Sequence, residues 1–220
     1  MRAMILAAGR GERMRPLTDT VPKALVEVAG ESLIERHLRM LHSAGVRTVV
    51  INLGWLGEKI VERLGGGERY GLQIIYSPEY DNVLETAGGI QRALPMLGED
   101  PFWVVNCDVY TDWQPTDIDD NDGASGLLVL VPTPADKKTG DFALVDGLVR
   151  NAANPSYTFS GIARYNPDFF AAMAPGKAPL APALRQAADA GALAGRIYEG
   201  LWADTGTPQR LADLEARLRS

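Results

Sequence analysis

The sequence predicts an α/β fold with a largely parallel sheet and helices on both of its faces. Three observations carry that expectation: apolar runs of strand length, helical spacing of apolar residues between them, and capping or glycine signals at the joints. Residues 3–8 are apolar throughout and stop at Gly9, as expected of a strand buried on both faces. Ser32 and Glu35 then form a capping box, Ile34, Leu38 and Leu41 share one helical face, and Gly45 marks the end of that helix. "TVVIN", residues 48–52, is the next strand, 56–64 a helix closed by three glycines, 73–76 a third strand and 86–97 another helix. "FWVVN", residues 102–106, is a strongly apolar strand that stops at Asp108. Strands and helices in this order imply right-handed crossovers.

Beyond Asp108 the pattern changes. Residues 126–131, the hairpin-like "ALVDGLV" around Asp146 and Gly147, and residues 157–164 are strand-like, with no long helix between them. That half is expected to form a lid or a substrate-binding layer. Near the end Thr207 caps a helix with Pro208 at its first position, and Leu211, Leu214 and Leu218 give it an apolar face. With no linker in sight, residues 1–220 are expected to form one domain.

Bulk properties narrow the function. A chain of 220 residues that is 46% hydrophobic can bury a substantial core. Its 28 acidic and 22 basic residues leave a net charge of −6, which argues against a broad nucleic-acid or membrane surface and makes any anion site local. The single cysteine, Cys107, has no intrachain disulfide partner, the opening apolar run is too short for a secretory signal, and no stretch approaches the roughly 18 to 20 apolar residues that span a bilayer. A cytoplasmic location is expected. The oligomeric state is open, and a monomer is compatible with the sequence.

The stretch "LAAGRGERMRPL" after the first strand is the strongest chemical signal. Gly9 and Gly11 let backbone N–H groups converge on an anion at the carboxyl edge of the sheet, where Arg13 and Lys23 would add charge-assisted bonds to phosphate oxygens. Met14 stands where a dinucleotide fingerprint needs glycine, and the Gly-Lys-Ser/Thr of a P-loop is missing, so a different loop type is expected. Asp108 ends a buried strand at the same edge, and Asp204, in "WADTGTP", ends another apolar piece. Two such carboxylates with phosphate oxygens suit Mg²⁺, although an Asp after a strand is also a common turn or cap residue. The paired glycines of "ETAGGI" suggest close backbone approach to something flat, for which a nucleotide base is one candidate. Asn106 and Asp141 are candidates for sugar hydroxyls or for strand-end and turn roles. His37 and His42 are five apart and make no same-face metal pair, and Cys107 reads as a buried thiol.

"LAAGRGERMRPLT", "PKALVEVAG", "ETAGG", "NCD" and "WADTGT", in that order, resemble the motifs of sugar-1-phosphate nucleotidylyltransferases over essentially the whole chain. The resemblance implies a Rossmann-like three-layer sandwich with a mostly parallel mixed sheet, of the glycosyltransferase-A-like nucleotidyltransferase kind. It also implies a residue map. Gly9, Gly11, Glu12, Arg13 and Lys23 would bind the nucleoside triphosphate, with Arg13 and Lys23 catalytic; Glu85 and Gly88 would surround the base. Asn106 and Asp141 would face the sugar 1-phosphate, and Asp108 and Asp204 would hold Mg²⁺. The short length and "FSGI" at residues 159–162 are most similar to members that use UTP and N-acetylmuramate 1-phosphate in cell-wall recycling; guanylyl- and thymidylyl-transferring members and a non-catalytic nucleotide sensor are the alternatives. The chain departs from the family at Glu12, where a small residue is common, and in lacking an "E-K-P" segment with a second phosphate lysine. Lys137, Lys138 or Arg150 would have to substitute.

Overall fold

The computed structural model describes residues 1–80, 84–115 and 123–219. In chain order its strands and helices are β1 (Arg2–Leu6), β2 (Glu27–Val28), β3 (Glu31–Ser32), α1 (Leu33–Ser43), β4 (Thr48–Leu53), α2 (Gly57–Leu64), β5 (Gln73–Pro78), α3 (Glu85–Leu97), β6 (Phe102–Asn106), β7 (Val109–Thr111), β8 (Gly126–Pro132), β9 (Ala143–Val145), β10 (Leu148–Arg150), β11 (Tyr157–Tyr165), α4 (Asp168–Ala171), α5 (Leu180–Asp189), β12 (Leu193–Ile197), β13 (Trp202–Asp204) and α6 (Pro208–Arg219). Among the described residues the main sheet has nine strands in the order β5-β4-β1-β6-β11-β8-β12-β10-β9.

The expected mixed, mostly parallel α/β sandwich is what the chain forms. β4, β1 and β6 pair in parallel, β5 joins β4 in parallel, and β12 joins β8 in parallel. β11 runs against both β6 and β8. Alternate residues of β1 explain its unbroken apolar run. Ala3 and Ile5 pack with Ile34, Leu38 and Leu41 of α1 and Ile60 and Leu64 of α2 on one face. Met4 packs with Ile90, Ala93 and Leu97 of α3 and with Phe170 and Leu184 on the other. Both faces being dry, the buried positions from Ala3 to Ile5 are all apolar.

The second half departs from the expected lid. Its strands β8, β11, β12, β10 and β9 continue the same sheet, because β11 pairs with β6 from Phe102 to Val105 and passes the ladder on to β8. Helix α5 also intervenes there, burying Leu184 and Ala188. Its apolar spacing is diluted by alanines, which is why it is faint in the sequence.

A third apolar cluster holds the opening loop to the end of the chain. Met14, with no exposed surface, packs with Val26, Val28, Leu33, Tyr110 and Leu214, and Leu211 and Leu218 of α6 flank them. The residue that spoils the dinucleotide fingerprint is thus a core residue.

Glu35 ties the helices on one face together. Ser32 caps α1, its hydroxyl accepting from the Glu35 N–H at 3.4 Å and donating to the Glu35 carboxylate at 2.6 Å. That carboxylate also accepts from Arg63 of α2 at 3.0 Å, from Arg69 at 3.0 Å and from the Tyr70 hydroxyl at 2.7 Å. Burial alone would raise its pKa, but the bonds from Arg63, Ser32 and Tyr70 outweigh that and hold it at about 2 instead of 4.5. A depressed carboxyl adds stability above its unfolded pKa and loses it as pH falls through the folded one. Glu35→Gln should therefore cost about 2 kcal/mol at neutral pH and flatten the loss of stability between pH 4.5 and about 2, as read by urea unfolding at several pH values.

Candidate functional site

Register places the site. Leu6 of β1 lies level with Asn52 of β4 and Asn106 of β6, so three parallel strands end in a row at one edge of the sheet. Two cavities open there, of about 780 and about 660 Å³. Gly9, Gly11, Lys23, Asn52, Trp55 and Glu85 line parts of the first; Arg13, Lys137, Ser160, Asp204 and Arg210 line parts of the second. Asn106 and Asp108 belong to both walls, so the cavities meet at the end of β6.

The opening loop is fastened from beneath and left bare above. The Ala7 N–H donates to the Asn52 side-chain oxygen at 2.7 Å, and Asn52 in turn donates to buried Glu79 at 2.9 Å. Thr18 donates to the Gly11 carbonyl at 2.8 Å, and the Trp55 indole N–H donates to the Thr18 carbonyl at 2.9 Å. Gly11 has φ of 67°, a left-handed conformation that favours glycine. A Cβ on Gly9, by contrast, would meet nothing within 4 Å. The loop therefore presents exposed backbone to the first cavity.

Charges are paired across the junction. The Lys23 ammonium forms an ion pair with Asp108, their side chains 13% and 21% exposed. Asp204 is drawn to the same place because β13 pairs antiparallel with β7, matching Asp204 with Val109. The following residue, Thr205, donates both its N–H, at 2.9 Å, and its hydroxyl, at 2.8 Å, to the Asp108 carbonyl. One Asp204 oxygen accepts from the Gly206 N–H at 2.7 Å and the other from Arg210 at 2.5 Å. The two expected metal carboxylates are thus neighbours, each facing a cation. Among the described residues no group of three or more His, Cys, Asp or Glu forms a closed metal cage.

Other expected residues fall less simply. Arg13 lines the second cavity rather than the first, its guanidinium near Gly206, and among the described residues no hydrogen bond or ion pair engages it. Glu12 and Glu85 line the first cavity; Glu85, at φ of 58°, pairs with Lys177 at 3.2 Å. Gly88 does not line either cavity. A Cβ there would lie 2.1 Å from the Gly176 carbonyl oxygen, and its N–H donates to the Ala178 carbonyl at 3.1 Å. Gly89 is similarly closed by Glu79, at 2.6 Å. The close approach that these glycines signalled is to the protein's own loop and carboxylate, not to open cavity.

Asp141 is likewise occupied within the protein, accepting from Lys137 at 2.7 Å and from the Phe159 N–H at 3.0 Å. Lys137, not Asp141, reaches the cavity wall. Of the proposed substitute cations Lys138 lines neither cavity, and Arg150 donates to the Ala188 carbonyl at 3.3 Å beside α5. Burial, reinforced by Asp108, pushes the Cys107 thiol up to about 12, too high for a thiolate nucleophile.

Three residues escaped the sequence reading. Arg10 stacks over Trp55, 4.5 Å from the ring centroid, and both line the first cavity; Arg15, by contrast, is spent on Asp19 at 2.7 Å. Asn52 looked like a strand end. Arg210, which no sequence motif marks, sits in the first turn after Thr207, whose hydroxyl accepts from the Arg210 N–H at 3.3 Å, and donates to Asp204.

Known proteins resemble this chain in sequence and in fold. The MobA-like NTP transferase domain family matches residues 3–112. An N-acetylmuramate alpha-1-phosphate uridylyltransferase of Neisseria meningitidis is 48% identical over 98% of this chain and 97% of its own length. One from Caulobacter vibrioides is 38% identical over 98% and 96%. A crystal structure of a putative glucose-1-phosphate thymidylyltransferase from Bacillus anthracis superposes with a TM-score of 0.86 at 19% identity, covering 100% of this chain and 96% of that one.

Gly54 offers a direct check of the loop's seating, since a Cβ there would lie 2.3 Å from the Ala8 carbonyl oxygen. Gly54→Ala should cost about 1–3 kcal/mol as an overpacked contact, whereas Gly9→Ala should change thermal stability by less than about 0.5 kcal/mol, both read by thermal unfolding.

Proposed function

We propose that this chain, which belongs to the MobA-like NTP transferase family and is a nucleotidyltransferase acting on a sugar 1-phosphate, transfers uridylyl from UTP to N-acetylmuramate 1-phosphate. The products are UDP-N-acetylmuramate and pyrophosphate, made in the cytoplasm for cell-wall recycling. The observation that carries the reading is the meeting of two cavities at Asn106 and Asp108, with the bare glycine loop on one side and a basic wall on the other. Near full-length likeness to two enzymes of that name supports the choice of base and sugar.

The chemistry follows from the arrangement. UTP lies in the first cavity with its phosphates over Gly9 and Gly11, where the open space above Gly9 admits an anion. Glu12 and Glu85 flank the nucleotide, and Gly88 serves the base end by letting the Gly176 loop close behind it. The sugar 1-phosphate lies in the second, beside Asn106 and beside Lys137, which Asp141 holds in place. A phosphate oxygen of the sugar attacks the α-phosphorus in line, forming one P–O bond as the bond to pyrophosphate breaks and the electron pair leaves with it. No protein nucleophile is needed.

Two anions must approach, so neutralisation governs the barrier. Lys23, reaching Asp108 just past the end of β6, faces the α-phosphate, and Arg13, which lines the second cavity with no partner among the described residues, is available to phosphate charge where the two cavities meet. Asp108 and Asp204 fit Mg²⁺: they are hard oxygen donors lining one cavity, Asp108 in the turn before β7 and Asp204 level with the first residue of β7, in the one- or two-carboxylate pattern that leaves room for substrate phosphates. Bound there, Mg²⁺ would supply further neutralisation of phosphate charge. Lys23 and Arg210 would then be released from the carboxylates toward phosphate oxygens.

Pyrophosphate release from UTP, GTP, CTP, ATP and dTTP, each against N-acetylmuramate, glucose, mannose and N-acetylglucosamine 1-phosphates, tests the reading. UTP with N-acetylmuramate 1-phosphate should exceed every other pair in kcat/KM by about tenfold or more. A different best pair would overturn the assigned substrates, and release from none would favour a nucleotide-binding protein without turnover.

A further inference from the structure

We propose that Arg210 binds the phosphate of the sugar 1-phosphate, supplying the second phosphate cation that the sequence lacks at an "E-K-P" segment. The inference rests on the nucleotidyl-transfer reading above. That reaction brings a phosphate monoester dianion against a triphosphate, and Lys23 stands on only one side of the meeting point. A cation is therefore required on the second cavity's wall.

Four basic residues line that wall: Arg13, Lys137, Arg210 and Arg217. Arg13 comes from the opening loop. Lys137 is a point charge already held by Asp141 at 2.7 Å and Thr158 at 3.3 Å, and it ties the segment between β8 and β9 to β11. Arg217 lies two helical turns beyond Arg210, about 10 Å farther along α6. Arg210 is in direct contact with Asp204, one of the two paired carboxylates.

Its hydrogen bonds divide in a way that suits exchange. Nε, at 3.1 Å, and Nη2, at 2.8 Å, both donate to the same oxygen of Asp136, anchoring one edge of the guanidinium. Nη1 donates separately to Asp204 Oδ2 at 2.5 Å. A guanidinium has five N–H donors in a planar fork, so the Nη1 side can change acceptor while Asp136 keeps the group in place. Were Asp204 to hold a divalent cation, its hold on Nη1 would weaken, and a phosphate oxygen would take Nη1 as its donor. The guanidinium thus neutralises Asp204 in the free protein and the acceptor phosphate in the complex. Asp136, beside Arg210, is held below the usual carboxylate range, so the anchoring pair stays ionised throughout neutral pH.

Calorimetric binding of UDP-N-acetylmuramate and of UTP, with no turnover, tests this directly, because only the first carries the phosphate contributed by the sugar. Arg210→Gln should weaken UDP-N-acetylmuramate about tenfold and UTP by less than about twofold, and Arg210→Lys should recover part of the loss. Asp136→Asn breaks the same tie between α6 and the Asp136 turn while keeping the guanidinium, and should weaken UDP-N-acetylmuramate by less than about threefold. Equal losses for both ligands in Arg210→Gln, or a loss in Asp136→Asn matching that in Arg210→Gln, would overturn the inference in favour of a structural role. A wild-type protein that binds UTP but not UDP-N-acetylmuramate would instead overturn the substrate assignment, and the inference with it.

Discussion

The Asp108 carbonyl, accepting two hydrogen bonds from Thr205, is the contact on which the rest of the site depends. It fastens the end of the chain to the end of β6 and, with the β7–β13 pairing, sets Asp204 beside Asp108. It adds to the cluster around Met14 and Leu214 and to the Arg210–Asp136 ion pair in positioning α6. The same staple brings Arg13 of the first loop near Gly206. Loop, strand end and C-terminal helix are assembled as one unit.

That assembly creates an electrostatic problem. Two carboxylates on one cavity wall, Asp108 before β7 and Asp204 at the end of β13, repel, and their repulsion is strongest where water is scarce. The protein answers with Lys23 on Asp108 and Arg210 on Asp204. These pairs are only partly buried, so their net contribution to stability is modest, and both cations can exchange partners without leaving an orphaned charge in a dry core. A site meant to bring phosphates together gains from cations stored in that way.

Much of the sheet was legible because it is buried on both sides. Residues 3–8 and 102–105 had to be apolar, and glycine and capping signals marked the ends of the elements. The order of the second-half strands was not legible, since β11 enters between β6 and β8 through long-range pairing that no local pattern encodes. Of the candidate site, the position of the opening loop, Lys23, Asp108 and Asp204 along the cavity edge was legible, because residue type and position at a strand end carry chemical meaning. Gly88 signalled close approach, and what it approaches in the folded chain is the Gly176 carbonyl, while Asp141 accepts from Lys137. Arg10 and Arg210 were missed because their roles depend on Trp55 and Asp136, residues distant in sequence.

The central claim is that Asp108 and Asp204 act together as one cation-binding pair beside the nucleotide. Binding of Mn²⁺ in the presence of UTP, followed by electron paramagnetic resonance in wild type, Asp108→Asn and Asp204→Asn, measures it most directly. Each substitution alone should weaken Mn²⁺ by about tenfold or more. Wild-type affinity in either variant would contradict the account.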